Sequence, residues 1–105
     1  MPPPADSAIG RETLKEVLEA WAKGRMPADL KQGSPAILVS DPDWEGGQQL
    51  LEFKIDPEED RSGVDLQLTA TLTLKNKAGQ TVRKPATYVI ATGARTTVLR
   101  NDPDN

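Results

Sequence analysis

The chain has 105 residues, 36% hydrophobic and 28% charged, with 13 basic and 16 acidic side chains and a net charge of −3. That length carries one domain with one core, and a charge balance without a long basic cluster excludes nucleic-acid recognition through phosphate neutralisation. The absence of Cys and His excludes disulfides, Cys/His zinc sites, thiol nucleophiles and imidazole acid–base chemistry together.

Residues 1–9 hold a run of three prolines and no periodicity, so they are expected to form a mobile lead-in. Met1 ahead of that run suggests an initiator added to a segment trimmed from a longer, exported precursor. The compartment stays open between the cytoplasm and the soluble part of an exported protein. No apolar run is long enough to cross a membrane or to form a signal-peptide core, so no membrane insertion is expected of this segment.

Gly10 is placed to cap a helix, with Ile9 and Leu14 at the spacing of a hydrophobic staple; Thr13-Leu-Lys-Glu16 is a competing capping box that starts the helix later. Leu14, Val17, Leu18 and Trp21 recur at helical spacing and predict an amphipathic helix that stops near Gly24. Pro27 and Gly33 then bracket a single further turn, with Leu30 tucked under the edge of the sheet.

Beyond Ser34-Pro35 the pattern changes. Ile37-Leu38-Val39 predicts a short strand, and Asp41–Gly47 a turn-rich loop. Leu51, Phe53 and Ile55 alternate with Glu52 and Lys54, which predicts a strand over 48–56. Pro57–Gly63 reads as a polar connection whose acidic run is solubilising. Residues 64–75 then alternate without a break. Val64, Leu66, Leu68, Ala70, Leu72 and Leu74 share one face of the longest predicted strand. Asn76–Gly79 fits a hairpin turn, 81–92 the returning strand, Gly93-Ala94 a second turn, and 95–101 an edge strand guarded by Arg95 and Arg100. Residues 102–105 are a polar tail.

The hairpin register sets Leu72 opposite Lys84 and brings Pro85 into the ladder. A bulge near Arg83-Lys84-Pro85 is expected to relieve both. Tyr88 and Ile90 lie on one face of this strand, Val89 and Ala91 on the other, which predicts a central strand covered on both sides. The predicted fold class is α+β over residues 10–101: an N-terminal amphipathic helix packed across a curled, four- to five-stranded antiparallel meander sheet.

This order resembles the cystatin-like and nuclear-transport-factor-like rolls. Trp21…Gly24…Pro27…Leu30 resembles the helix-end pattern of small uncharacterised bacterial proteins of that shape. The cystatin resemblance implies protease inhibition through a Gln-x-Val-x-Gly hairpin. Gln80-Thr81-Val82 matches its start, but Lys84 stands where Gly belongs, and Asp43-Trp44 is the nearest approach to the second, Pro-Trp loop. The isomerase relatives of the other roll imply a carboxylate and a tyrosine in an apolar cone, for which Asp65 and Tyr88 are the available pair.

Asp41, Asp43, Glu45, Gly46 and Glu52 resemble positions one, three, five, six and twelve of an EF-hand calcium loop, and so form a candidate calcium site. Glu45 departs from the usual Asp or Asn, and both flanks read as strands. The polar face of the long strand offers Thr69, Thr71 and Thr73, with Thr87 expected opposite Thr69 and Val89 beside it. This is either a wet sheet face or a contact surface for a homodimer or a protein partner. Trp44 is either a lid on the sheet or part of that contact. Three readings of function follow: a non-enzymatic interaction or homodimerising module, a small-ligand-binding or isomerase-like roll, and a calcium-binding loop.

Overall fold

A computed structural model describes residues 7–33, 36–62, 65–92 and 96–101. Helix α1 (Ser7–Ala22) is followed by the single turn α2 (Pro27–Lys31), strand β1 (Ile37–Ser40) and a second single turn, α3 (Pro42–Glu45). Strands β2 (Gln49–Ser62), β3 (Asp65–Lys75), β4 (Thr81–Thr92) and β5 (Thr96–Arg100) complete one five-stranded sheet in the order β1-β5-β4-β3-β2. The molecule is therefore α+β, as the patterning predicts. Strands β2 to β5 form an antiparallel meander, but β1 pairs parallel to β5, so the sheet is mixed. The segment around α3 carries the chain from one edge of the sheet to the other, and this crossover sets β1 beside the last strand rather than beside β2.

The alternation in β3 dictates the inner face. Leu66, Leu68, Ala70, Leu72 and Leu74 are all buried, and α1 meets them with Leu14, Val17, Leu18 and Trp21. Burying each leucine stabilises the fold by about 1.5–3 kcal/mol relative to leaving it exposed. Val64, at the start of the predicted stripe, lies outside the described residues, as do residues 1–6, Gly93, Ala94, Arg95 and the polar tail.

Helix α1 includes Ser7–Ile9, so the described part begins before Gly10, and Gly10 is not its cap. Ile9 is exposed and Thr13 buried, so neither the staple nor the capping box forms as expected. Gly10 is needed for a different reason: a Cβ there would overlap Leu66 Cδ2, a fully buried atom group of β3. The other end of α1 follows the sequence. Gly24 takes φ +87° and donates to Trp21 O at 2.9 Å, and Arg25 N–H donates to Ala20 O at 3.0 Å, the paired bonds of a Schellman stop.

Three strand expectations need correction. First, β2 is irregular between Leu50 and Glu52, so Leu50 is buried and Leu51 turns outward, 44% exposed. One extra residue in a strand exchanges the faces of what precedes it. Second, β2 does not end at Asp56: it pairs with β3 as far as Ser62↔Asp65. A second irregularity between Ile55 and Glu59 absorbs Pro57, and the Arg11 guanidinium donates to the carbonyls of Asp56 and Pro57 there. Third, β5 is an interior strand, flanked by β1 and β4, so Arg100 guards no edge.

The expected bulge in β4 is absent. Leu72 pairs with Lys84 and Thr71 with Pro85 in unbroken register. Pro85 lies beyond the last β4–β5 rung, Tyr88↔Arg100, so its missing N–H leaves no β5 carbonyl without a partner. Lys84 is kept inward by a carboxylate described below. β4 is the middle strand of the five, as expected, but only its inner face is covered among the described residues, and Val89 and Ala91 on the other face are partly buried. The hairpin also forms as predicted. Gly79 takes φ +86°, Asn76 N–H donates to Gln80 O at 2.9 Å, and Asn76 Oδ1 accepts from the N–H groups of Ala78 (3.0 Å) and Gln80 (2.9 Å).

Gly10→Val should separate a helix cap from a packing contact. A cap tolerates the change with little loss, whereas overlap with Leu66 predicts destabilisation of about 1–3 kcal/mol in urea unfolding.

Candidate functional site

Among the described residues, the ion pairs gather where the crossover passes under the sheet. Asp41 follows β1 with an extended backbone, and Pro42 starts α3 at a position that needs no N–H. Asp41 Oδ1 caps the turn by accepting from Asp43 N–H at 2.9 Å and Trp44 N–H at 3.4 Å, and Asp41 N–H donates to Glu45 Oε2 at 3.0 Å. These bonds are local, and the sequence Asp-Pro-Asp-Trp-Glu supplies them.

The same carboxylate reaches the centre of the sheet. Tyr88 Oη of β4 donates to Asp41 Oδ2 at 2.6 Å, and Arg100 Nη1 of β5 donates to Asp41 Oδ1 at 2.9 Å. Asp41 is 1% exposed and the Arg100 side chain 3%. Asp43 Oδ2 sits 2.8 Å from Lys84 Nζ and 2.9 Å from Arg100 Nη1, while Asp43 Oδ1 accepts from Gln48 Nε2 at 2.9 Å. The Arg100 guanidinium carbon lies 5.8 Å from the centre of the Tyr88 ring, within cation–π range. Two carboxylates thus face two cations in a mostly buried, charge-balanced group.

The electrostatics follow from that geometry. Burial pushes the Tyr88 phenol far above its ordinary range, and the charge of Asp41 and the bond to it push it further. Burial also raises the Asp43 carboxyl, but the Lys84 and Arg100 cations outweigh it and leave the group below its ordinary value. Tyr88 therefore remains protonated at neutral pH, with its proton committed to Asp41. Asp41 accepts from four donors in all, which leaves it little capacity to act as a general base. The cluster positions the crossover; it has the residue types of an acid–base site but holds them in mutual contact.

Three of the four candidate calcium ligands are committed to other partners. Asp41 and Asp43 are engaged as above, Glu45 accepts from the backbone of Asp41, and Glu52 is exposed on β2. Among the described residues, no group of three acidic side chains is placed to hold a metal ion. Of the isomerase pair, Tyr88 is inside the core, and the side chain of Asp65 lies outside the described set.

The outer face assembles as the alternation predicts. Thr69, Thr71, Thr73, Thr87 and Val89 share it, and the hydroxyls of Thr69 and Thr87 lie 3.3 Å apart. Rungs of Glu52–Thr73–Arg83 and Lys54–Thr71 frame a cleft of about 200 Å³ on this face. Leu38, Ala91 and Leu99 extend the face across β1, β4 and β5. Trp44 is not part of it. That indole is 3% exposed on the inner side, stacked on Trp21 at 5.4 Å with planes 10° apart, and its Nε1 donates to Arg25 O at 2.9 Å. It is the lid of the two alternatives.

Arg100 and Lys84 are the functional-looking residues that sequence reasoning assigns elsewhere. The available signal is the conflict at Lys84: a lysine on the inner side of a strand calls for an acid within reach, and Asp43, read instead as a calcium ligand, supplies it. No protein-family model matches this chain, and neither a curated protein nor a solved structure matches it.

Asp41→Asn removes one partner from a buried pair and is expected to cost about 3–5 kcal/mol in chemical denaturation. Tyr88→Phe strands one oxygen of Asp41 and should cost about 1–3 kcal/mol. Asp43 titrates in the folded state below its ordinary value of 3.8. Its contribution is therefore full above that value and lost as pH falls through the lower, folded one. Asp43→Asn should lower stability at neutral pH and flatten the acid limb of the stability–pH curve; an unchanged acid limb would refute this assignment.

Proposed function

We propose that this chain is a non-enzymatic interaction module that pairs two copies through the outer face of its sheet. The supporting observation is the one-sided placement of the helices. α1, α2 and α3 all contribute apolar side chains to a single inner core, through Leu14, Leu18, Leu30 and Trp44 among others. The outer face is left without a second layer among the described residues. An antiparallel sheet tolerates one wet face when that face is polar. Here its β1–β5–β4 half carries Leu38, Val89 and Ala91, only partly buried, and Leu99 at 43% exposure.

Charge supports a second copy as the partner. Glu52 on β2, with Lys54 two residues on and Arg83 across Thr73, forms a mixed-sign group with no ion pair among the described residues. A two-fold arrangement can bring Glu52 of one copy against Lys54 or Arg83 of the other, which is the self-complementarity an isologous interface needs. As a reading of shape, α1 laid over the β2–β5 meander also supports the proposed kinship with cystatin-like and nuclear-transport-factor-like rolls. The open sheet with a parallel β1 is where it departs from a plain meander.

Sedimentation across a micromolar-to-submillimolar series should show a concentration-dependent doubling of mass. Val89→Arg with Leu99→Arg should return the protein to monomer with an unchanged circular dichroism spectrum. A monomer throughout, or a dimer indifferent to both arginines, would refute the proposal.

A further inference from the structure

Glu52 and Lys54 of β2 and Arg83 of β4 share the outer face, with Thr71 and Thr73 of β3 between them. Glu52 and Lys54 are two residues apart on one strand, about 7 Å, and Glu52 and Arg83 are two strands apart, about 10 Å. A cleft of about 200 Å³ opens among these five side chains.

Their polar groups are uncommitted. Glu52, Lys54 and Arg83 are exposed, and none makes a side-chain hydrogen bond or ion pair among the described residues. Under the sheet, by contrast, opposite charges close on one another, with Asp43 at 2.8 Å from Lys84 and 2.9 Å from Arg100. On the outer face the threonine strand holds Glu52 and Arg83 apart, and the cleft lies in the gap. It therefore carries two cations and one anion. A simple anion would leave Glu52 as a repulsion, and a simple cation would meet Lys54 and Arg83 as two. A ligand with one ammonium and two carboxylates matches the cleft in sign and in number.

We propose that this cleft binds a free acidic α-amino acid, with its ammonium on Glu52 and its two carboxylates on Lys54 and Arg83. The guanidinium fork of Arg83 suits a carboxylate in geometry as well as charge, and Lys54 supplies a point charge on a flexible stem. The volume suits one such molecule, since a cavity of about 150 Å³ accommodates benzene. The cleft lies on the face assigned to the pairing of two copies but does not rest on that pairing, because a single copy carries all three charges.

L-Aspartate is the probe, followed by backbone amide shifts on the Val89→Arg, Leu99→Arg variant, so that failure here is distinguishable from failure of the dimer. Succinate lacks only the ammonium and L-alanine lacks one carboxylate; both serve as controls at constant ionic strength. The expected result is a saturable response centred on Glu52–Lys54, Thr71–Thr73 and Arg83, with aspartate bound about two- to fivefold more tightly than either control. Glu52→Gln should remove the preference over succinate and keep that over alanine. Arg83→Gln should remove the preference over alanine and keep that over succinate. Glu52 and Arg83 are exposed, so folding is not at stake in either variant. Absence of saturation, succinate or alanine binding as tightly as aspartate, or preferences unmoved by either substitution would each overturn the proposal.

Discussion

Asp41 ties local and distant parts of the fold into one arrangement. One carboxylate caps α3, receives the Tyr88 hydroxyl from the middle strand and pairs with Arg100 from its neighbour. Without these bonds the crossover from β1 to β2 would be a loop slung under the sheet, free to lie at many angles. With them, α3 is fixed beneath β4, and Trp44 is set against Trp21. The position of the tryptophan corner is inherited from a buried ion pair.

Buried charges are an expensive way to fix a loop. Desolvation of Asp41 and Arg100 offsets much of their attraction, and a hydrophobic replacement of equal shape could be as stable. What such a replacement lacks is direction. The Asp41 carboxylate accepts along defined axes, so it selects one placement of the crossover over its neighbours. This explains why a chain with so few aromatic residues places Tyr88, fully buried, at the point where its hydroxyl is needed.

The readable part of the fold is the part written in short-range patterns. The leucine stripe of β3, the apolar face of α1, the Gly24 stop and the Gly79 turn depend on spacing or on one residue's conformational freedom, and all are legible. The Leu50–Leu51 inversion is not. A strand of alternating residues reads equally well in two frames, and the choice is made by what β3 presents to it. The parallel pairing of β1 is hidden for a related reason: its partner, β5, lies more than half the chain away, and nothing local distinguishes it from β2. Lys84 is the instructive case. On spacing alone, its inward placement calls for a bulge. It is instead resolved by Asp43, from a segment whose acids read as a calcium loop. The threonine face was legible as a face, and its composition alone left open whether water or protein covers it.

The parallel rung between β1 and β5 also constrains the order of assembly. Among the described strands of this sheet, β1 is synthesised first and its partner, β5, last. Until β5 has emerged, Ile37 and Val39 have no strand beside them, although α1 is complete and the β3–β4 hairpin can already close. An apolar segment therefore stays unpaired from the emergence of β1 until that of β5. The four residues of β1 are thus an edge exposed to intermolecular pairing for longer during biosynthesis than the β3–β4 hairpin is.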